Sequence, residues 1–545
     1  MEPSPITASD DPLDDVDVLD GAVQLGELAA GLYGPDGRHK LVVAGDGPVV
    51  AGDLQQLFEA IDVEHPGAVM VGNGAVQHKE TVGDGSTAVV LLARALAERA
   101  DDLLADGMHR ASVADGFDRA RAAAVGAVPS ISTPVDGLDD PRGRAAVRAA
   151  LGGYDDVDQA LDAVTDAARL VADARQTGRE GVGVDHVAFE HVSDAHAPTV
   201  ELLRGFFLDR EPVTPNTPRE FEDARVAVVG GAKKSGQGIE ERELKRAGGS
   251  EGKGRTEVTV NPETPDDRTA FRAREAEEVA AQVQVLADAG VDVVFTAMGI
   301  SDAAISALDD ADITAFRGLQ APQARRVARA TGAALVMDLA DITPADVGTA
   351  GRLRVEGDGE DSRVRIDRCE DSEVATLLVS GTVRAGVESM QRDLMTAIVT
   401  GRRILEGGAV VPGGGGAWTR LAAAVREDAR SVSDRSAVVM DAFADALEDV
   451  PRTLARNAGG DEVDALTALR AGPPDAVFDT DARDVRPAGE RGPYDLAAVV
   501  EGAVATASDV VAQLVRIDDV VRAADDSGDE PTDYDFQPDP ERDLA

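Results

Sequence analysis

The clearest periodic segment is Thr87–Leu104, TAVVLLARALAERADDLL. Small and apolar residues repeat there at helical spacing, with Glu and Arg between them, and Gly107 ends the run. A second helix is predicted over Ser112–Gly126. Ahead of both, from Gly21 to about Ala60, short apolar pieces are separated by glycine-rich turns, GLYGPDGRHK and VVAGDGPVVAGD. Pro129–Pro141 reads as a Pro- and Gly-marked joint. Within 142–205 helical spacing returns in YDDVDQALDAVTDAARLVADARQ. FEDARVAVVG (221–230) is a strand candidate, and Gly231–Gly254 reads as a flexible loop. The pattern then alternates. Helical AFRAREAEEVAAQVQVLADAG leads to strand VDVVFTAMG, SDAAISALDDA to DITAFRG, and APQARRVARATG to AALVMD. Such alternation predicts an α/β module with a partly parallel sheet. From Ala397 to about Ala471 the chain is helical again, and a last helix covers about Pro493–Asp519. Two helical blocks thus flank an inserted centre, which suggests one discontinuous domain made from both ends.

Composition narrows the setting. The 545 residues suggest about three domains. Hydrophobic residues make up 43% but aromatics only 3%, so the cores must be Ala, Val and Leu. Acidic residues number 101 against 54 basic ones, a net charge of -47, and only six of the basic residues are lysine. Such self-repulsion is tolerable where salt screens it to a few Å. The expectation is a halophilic, cytoplasmic protein. No basic stripe exists to neutralise phosphates, which argues against nucleic acid as the main partner. A single cysteine, Cys369, excludes a disulfide-stapled fold and shows no base nearby for thiol chemistry. Apolar runs are broken well before the roughly 20 residues a bilayer needs, so no membrane span is expected. The start, MEPSPITASDDPLDD, lacks the apolar core of a signal peptide. Residues 1–19 and the tail containing DDSGDEPTDYD are disorder candidates.

Three glycine-rich sites carry candidate chemistry. Gly83-Asp84-Gly85-Ser86-Thr87 sits immediately before the strongest helix. Its glycines permit a tight turn and close approach of a ligand. Unpaired N–H groups at a helix start suit an anion such as phosphate. Asp84 would repel a bare phosphate and makes sense with a bridging Mg²⁺. Ser86 and Thr87 can cap the helix or touch phosphate oxygens. The plain alternative is a GDG turn with an N-cap. Gly34-Pro35-Asp36-Gly37 is a second such turn and also an ordinary turn signature. Gly413–Gly416 is a third; either something binds near that backbone or helices pack against it. Together the three favour a nucleotide pocket. No Walker-type, H-E-x-x-H or C-x-x-C motif occurs. His191 and His196 read as surface residues.

Read with their surroundings, these residues resemble the group II chaperonins of archaea, the thermosome family, as a divergent haloarchaeal-like member. The resemblance lies in DVEHPGAVMV (62–71), ETVGDGSTAVVLLARALAERADDLL (80–104), SDAHAPTVELLRGFFLDRE (193–211) and GVDVVFTAMGISDAAISAL (290–308). It continues in ATGAALVMDLADITPADVG (330–348), GGAVVPGGGG (407–416), LARNAGGDEVDALTALRAG (454–472) and VAQLVRIDDVV (511–521). It implies a multidomain α+β and α/β fold. A discontinuous all-helical equatorial domain would take 20–134 and 397–524, and an intermediate hinge domain 135–210 and 365–396. An α/β apical substrate-binding domain with a helical protrusion would take 211–364. The disordered ends would be 1–19 and 525–545. The implied function is an ATP-dependent chaperone subunit that encloses non-native proteins in a double ring of homologous subunits, eight per ring.

The resemblance also assigns residues. Gly34, Pro35 and Gly37 match the phosphate-side turn, with Lys40 later in it and Asp36 where a lysine is common. Asp53 matches the Asp of the asparagine-aspartate-glycine motif, between the departures Gly52 and Leu54. Gly83, Asp84, Gly85 and Thr87 match the central block, with Ser86 a mild change. Asp84 would contact Mg²⁺, and Lys79 stands where an Asp is usual. Gly414 and Gly415 match the nucleotide-side glycines. The family's catalytic Asp falls at Thr396, which cannot act as a carboxylate base. Asp393 lies about one turn earlier and is a substitute only if the helix shifts or rotates. The protrusion, 259–286, is acidic, with Phe271 its best apolar anchor, and reads as a salt-adapted lid surface. Two alternatives stand beside the ATP-driven chaperone: a structural or regulatory ring subunit with weak or absent hydrolysis, and a stand-alone phosphotransferase.

Overall fold

The structure is a computed structural model. It describes residues 17–44, 47–152, 157–176, 187–192, 199–230, 277, 279–337, 339–357, 359, 362–369, 372, 374–380, 384–518 and 520. Gly231–Gly254, Phe271 and the acidic tail lie outside these residues, as do 1–16.

Both chain ends build one helical block. From the N-terminal part come α1 (Val18–Ala30), α2 (Leu54–Ala60), α3 (Pro66–Val82), α4 (Ser86–Ala105) and α5 (Arg110–Ile131). From the C-terminal part come α12 (Gly416–Ala429), α13 (Ser436–Asn457), α14 (Glu462–Ala471) and α15 (Ala497–Arg516). Leu25, Leu92, Leu96, Phe117, Phe443, Leu447, Val504 and Val511 share one core across that divide. Phe117 and Phe443 meet edge-on with ring centroids 5.8 Å apart, and most of the remaining filling is Ala, Val and Leu. The helix α15 is long and apolar enough to cross a membrane. Its apolar residues are spent on this core, where Val500, Val504, Val511 and Val515 are buried.

Three expectations are corrected here. The segment after Gly21 is helical, not a series of turns, through α1. Gly21 and Gly26 are there because a Cβ would collide with His65 and with Arg94, so they mark close helix packing. This helix begins at Val18, capped by Asp17, whose Oδ1 accepts from Leu19 N at 2.9 Å; residues 17–19 therefore do not belong to a disordered end. The helix α5 continues through Pro129 to Ile131, so the joint starts later than the proline signalled.

The middle of the chain forms a second core. It packs α6 (Pro141–Ala150), α7 (Val157–Gln176) and α11 (Arg384–Leu405) on a three-stranded sheet, β4 (Val187–Val192), β13 (Ala375–Ser380) and β5 (Thr199–Arg204). A small sheet, β17 (Tyr494–Leu496), β14 (Ala409–Pro412) and β3 (Thr133–Pro134), ties it to the helical block. The helix α11 runs unbroken across 396/397, so that division falls inside one helix.

The inserted module is a seven-stranded sheet. Its path is β6 (Phe206–Leu208), β12 (Arg363–Asp367), β11 (Gly348–Glu356), β7 (Glu220–Val229), β8 (Val293–Thr296) and β9 (Thr314–Phe316). The seventh strand, β10 (Leu335–Val336), also pairs with β7. The β7–β8, β8–β9 and β7–β10 pairs are parallel and the others antiparallel, as the alternating pattern suggested. Period-two alternation puts Val226 and Val228 of β7 on one face, with α10 (Ala321–Thr331). Ala227 and Val229 lie on the other face, with α8 (279–288) and α9 (Asp302–Asp310). The module reaches beyond 211–364 at both ends, because β6 pairs with β12 and Cys369 is buried in its core.

Two hairpins complete the chain. One is β1 (Lys40–Ala44) with β2 (Gly47–Ala51), before α2. The other is β15 (Ala476–Asp479) with β16 (Asp484–Pro487), after α14.

Candidate functional site

The strongest sequence candidate is an open helix start. Gly83 (φ +96°) closes α3, its N–H donating to Lys79 O at 2.7 Å. Gly85 (φ +88°) is the N-cap of α4 and offers no side chain to cap it. The first N–H groups of α4 are therefore free of a side-chain acceptor, and the helix dipole points its positive end there. Asp84 stands between the glycines, its Oδ1 accepting from Gly85 N at 2.6 Å. The carboxylate reaches solvent at the mouth of the opening but is crowded by protein beyond it. Burial pushes Asp84 above the usual carboxylate range; the Gly85 N–H and the Lys79 charge partly offset this. Ser86 is buried at the first helical position and Thr87 half-buried beside it.

His78 lies directly beneath this loop. It is buried, and its Nε2 would be 2.9 Å from a Cβ on Gly85. Burial pushes the imidazole down to about 4, so the loop rests on a neutral ring at ordinary pH.

A second open helix start, that of α12, is built differently. Gly414 (φ +52°) precedes the N-cap Gly415 (φ +81°), again without a side-chain cap. A Cβ on Gly414 would lie 2.5 Å from Phe478 O, and one on Gly416 would meet Ala476 O. Phe478 N also donates to Gly414 O at 3.0 Å. Gly414 and Gly416 are thus pressed against backbone, while a Cβ on Gly415 would meet the ring of Pro451.

The turn at Gly34–Gly37 reaches the same opening through Tyr33. Gly37 N donates to Gly34 O at 2.9 Å, and Gly34 has φ +86°. Asn457 Nδ2 donates to Ala30 O and Tyr33 O, each at 2.8 Å, which pins the turn to α13. Burial, together with Asp495 and Asp84, pushes the Tyr33 hydroxyl up; a hydrogen bond with Trp418 of α12 opposes them. Asp495, on β17, is pushed up to about 7 by burial and by the charge of Asp84. Lys40 lies off to the side, its Nζ 3.5 Å from the Cβ position of Gly31.

The facing side is α11. Asp53 caps α2, its Oδ1 accepting from Gln56 N at 2.9 Å, and its Oδ2 lies 2.6 Å from Arg392 Nε. Leu54 is fully buried in the helical core and so does not fill the opening. Arg392, Thr396, Val399 and Arg403 recur at helical spacing on one stripe of α11. Val399 abuts Gly83, and Arg403 donates to Thr81 O. Thr396 is half-buried in that stripe. Asp393 flanks it, open to solvent yet surrounded by protein. Burial and the Asp53 charge push it up to about 7, Asp84 adding to this while Arg392 and Lys79 pull the other way. The charges of Asp53 and Asp84 both reach Asp393.

The charge of Asp84 is felt by Tyr33 and Asp495 on one side and by Asp393 on the other, and Asp393 also feels Asp53. Among the described residues no three His, Cys, Asp or Glu side chains form a ready metal cage. Asp84 fits the sparse protein ligation of Mg²⁺, which takes one or two carboxylates plus phosphate. Cys369 is remote, and burial pushes its thiol up to about 11, so no thiolate forms at neutral pH. Asp495, His78, Tyr33 and Arg392 belong to the site but were not singled out from sequence. Arg392 had a signal: it lies four residues before Thr396, on the same helical face.

Residues 25–525 match the TCP-1/cpn60 chaperonin family. Thermosome subunit alpha of Halobacterium salinarum is 33% identical over 503 residues, 91% of this chain and 86% of that protein. Thermosome subunit 1 of Haloferax volcanii is 32% identical over 502 residues, 91% and 86% of the two chains. The thermosome subunit of Methanopyrus kandleri is 31% identical over 502 residues, 90% and 88% of the two chains. The likeness is nearly even across the three and does not single out the haloarchaeal ones.

Proposed function

From the premise that the chain belongs to the TCP-1/cpn60 chaperonin family, we propose that it is a folding-chaperone subunit driven by magnesium-bound ATP in the opening between α4, α12 and α11. The observation that carries this reading is the Gly83-Asp84-Gly85 loop. It sets a carboxylate suited to Mg²⁺ beside a helix start with no side-chain cap. The free N–H groups of α4 would take phosphate oxygens, and Tyr33 and Asp495 would border the rest of the nucleotide. When bound, the nucleotide and its cation supply the chemistry of phosphoryl transfer to water.

The chain's own part is to orient and to accept a proton. Thr396 cannot accept one. Burial and the Asp53 charge push Asp393 up to about 7, which suits a general base, and the charge of Asp84 reaches it. We assign that role to Asp393.

Assembly is part of the proposal. The β1–β2 hairpin exposes Leu41 (67%), Val43 (81%), Val49 (42%) and Val50 (50%). Such an apolar two-stranded ribbon needs a cover. A neighbouring subunit in a double ring, eight per ring, provides one. The setting would be a cytoplasm of high salt, where a net charge of -47 is screened, and the clients would be non-native proteins.

A second reading is a structural or regulatory ring subunit with weak or no hydrolysis. Thr396 and the engagement of Asp53 by Arg392 favour it. Phosphate release in molar salt, measured on particles sized by light scattering, separates the readings. The expected result is a ring-sized particle that releases phosphate from ATP, with loss of release in Asp393→Asn. No release, alone or with a co-purified partner subunit, transfers the case to the second reading. A monomer that turns over ATP would instead support a stand-alone phosphotransferase.

A further inference from the structure

We infer that Arg392 contacts the terminal phosphate of the bound nucleotide, exchanging Asp53 for it. The inference rests on the nucleotide reading above and adds a residue to it.

Arg392 spans a joint between two cores. Its helix belongs to the middle core through Leu394 and Ile398, while Asp53 caps α2, whose Leu54 sits in the helical block. The 2.6 Å contact between Asp53 Oδ2 and Arg392 Nε therefore links the two bodies.

The guanidinium is also incompletely satisfied. Its Nε and Nη2 are buried without a hydrogen-bond partner among the described residues, although Nε lies close to Asp53. Proximity without good hydrogen-bond direction describes a charge contact, not a fork-to-carboxylate pair. Asp53 has little more to offer, because its Oδ1 is committed to Gln56 N. A guanidinium carries five donors in a rigid fork, and phosphate oxygens match that fork two at a time.

Position supplies the rest. Arg392 shares its stripe with Val399 and Arg403, which touch Gly83 and Thr81 O at the start of the Asp84 loop. A polyphosphate held at the α4 N-terminus would bring negative charge toward this stripe. A nucleoside triphosphate extends one phosphate further than a diphosphate. The diphosphate would leave Arg392 with Asp53; the triphosphate would take it over and free Asp53 Oδ2. Both partners are about a quarter exposed, so the pair itself adds little stability, and its removal should not unfold the chain.

The test uses the full-length protein with Mg²⁺ in molar potassium chloride. Affinities for ADP and for a non-hydrolysable ATP analogue are measured by calorimetry, and amide exchange is followed at α2 and residues 79–85. In the wild type, the analogue should bind more tightly than ADP and change exchange at α2. Arg392→Gln should lose about 10- to 100-fold of analogue affinity, the worth of charge-assisted hydrogen bonds, with little change for ADP. The two ligands should then give the same exchange at α2. Arg392→Lys, which keeps charge but not the fork, should fall between. It also answers the question should the Gln variant fail to fold. Overturning results are an unchanged analogue-to-ADP ratio in the variants, or equal loss of both affinities. If the wild type binds neither ligand, the nucleotide reading itself fails and takes the Arg392 contact with it.

Discussion

Two helix starts in this protein share one local signature and serve opposite ends. Both α4 and α12 are capped by a glycine with positive φ, and neither has a side-chain cap. At α12 the glycines press against backbone, Phe478 O and Ala476 O, and against the ring of Pro451. At α4 they meet the ends of side chains, Val399, Val499 and His78, and they carry Asp84. The ground behind α12 is stiffened by a buried carboxylate. Glu448 takes Arg426 Nη1 at 2.9 Å and Arg470 Nε at 2.8 Å, which together hold it below the usual range against the cost of its burial. One start is a fixed wall; the other is a face that α11 touches from a different core. A glycine cluster in a sequence therefore cannot be read as ligand site or packing device without knowing whether its neighbours are backbone or side-chain ends.

That contrast can be broken by substitution. The largest expected effect is Asp84→Asn. Phosphate release should fall by about 1000-fold, several kcal/mol of lost charge stabilisation, while the melting temperature barely changes. Glu448→Ala should do the reverse. Leaving Arg426 and Arg470 around an empty site should cost about 3–5 kcal/mol in denaturant unfolding, with nucleotide affinity of the folded fraction unchanged. Next come the glycines. Gly414→Ala combines a left-handed backbone with a clash on a carbonyl that cannot move aside, about 2–4 kcal/mol. Gly85→Ala should cost less stability, about 1–2 kcal/mol, because Val499 and His78 can give way, yet lose more nucleotide affinity. Equal stability losses at the two positions would erase the distinction.

The smallest expected effect is in pH. Asp393 and Asp495 are both pushed up to about 7 in the folded chain, against 3.8 for a free aspartate. The folded state then binds more protons than the unfolded one between those values. Their contribution is most favourable below about pH 4 and is lost as pH rises through 7. Relative to Asp495→Asn, the nucleotide-free wild type should therefore melt at progressively lower temperature from pH 5 to pH 8, by roughly 2–4 °C per kcal/mol lost. Phosphate release should instead rise through pH 7 as Asp393 deprotonates, and Asp393→Asn should remove that rise. A melting difference independent of pH would place both carboxylates in ordinary solvent.

The fold was legible where periodicity is long and breakers are true breakers. The run Thr87–Leu104 predicted α4 almost to its ends, and the alternation from residue 270 onward predicted the mixed sheet. It failed where a glycine or proline serves packing. Gly21 and Gly26 concealed α1, and Pro129 suggested a break inside α5. Short strands such as β15, β16 and β17 carry too few residues to show a period. At the site, Asp84 was legible because it lies between glycines ahead of a strong helix. Asp495 and His78 were not, since a lone acid on a three-residue strand and a histidine within a helix acquire meaning only from what folds beside them. That the charges of Asp53 and Asp84 both reach Asp393 depends on how α11 docks, which no spacing encodes.

The most direct test is a structure of the full-length protein in molar salt with Mg²⁺ and a non-hydrolysable ATP analogue. The expected result is a triphosphate at the start of α4, its cation against Asp84, and Arg392 turned from Asp53 toward the last phosphate. An empty opening at saturating analogue, with the Asp53–Arg392 contact intact, would contradict it.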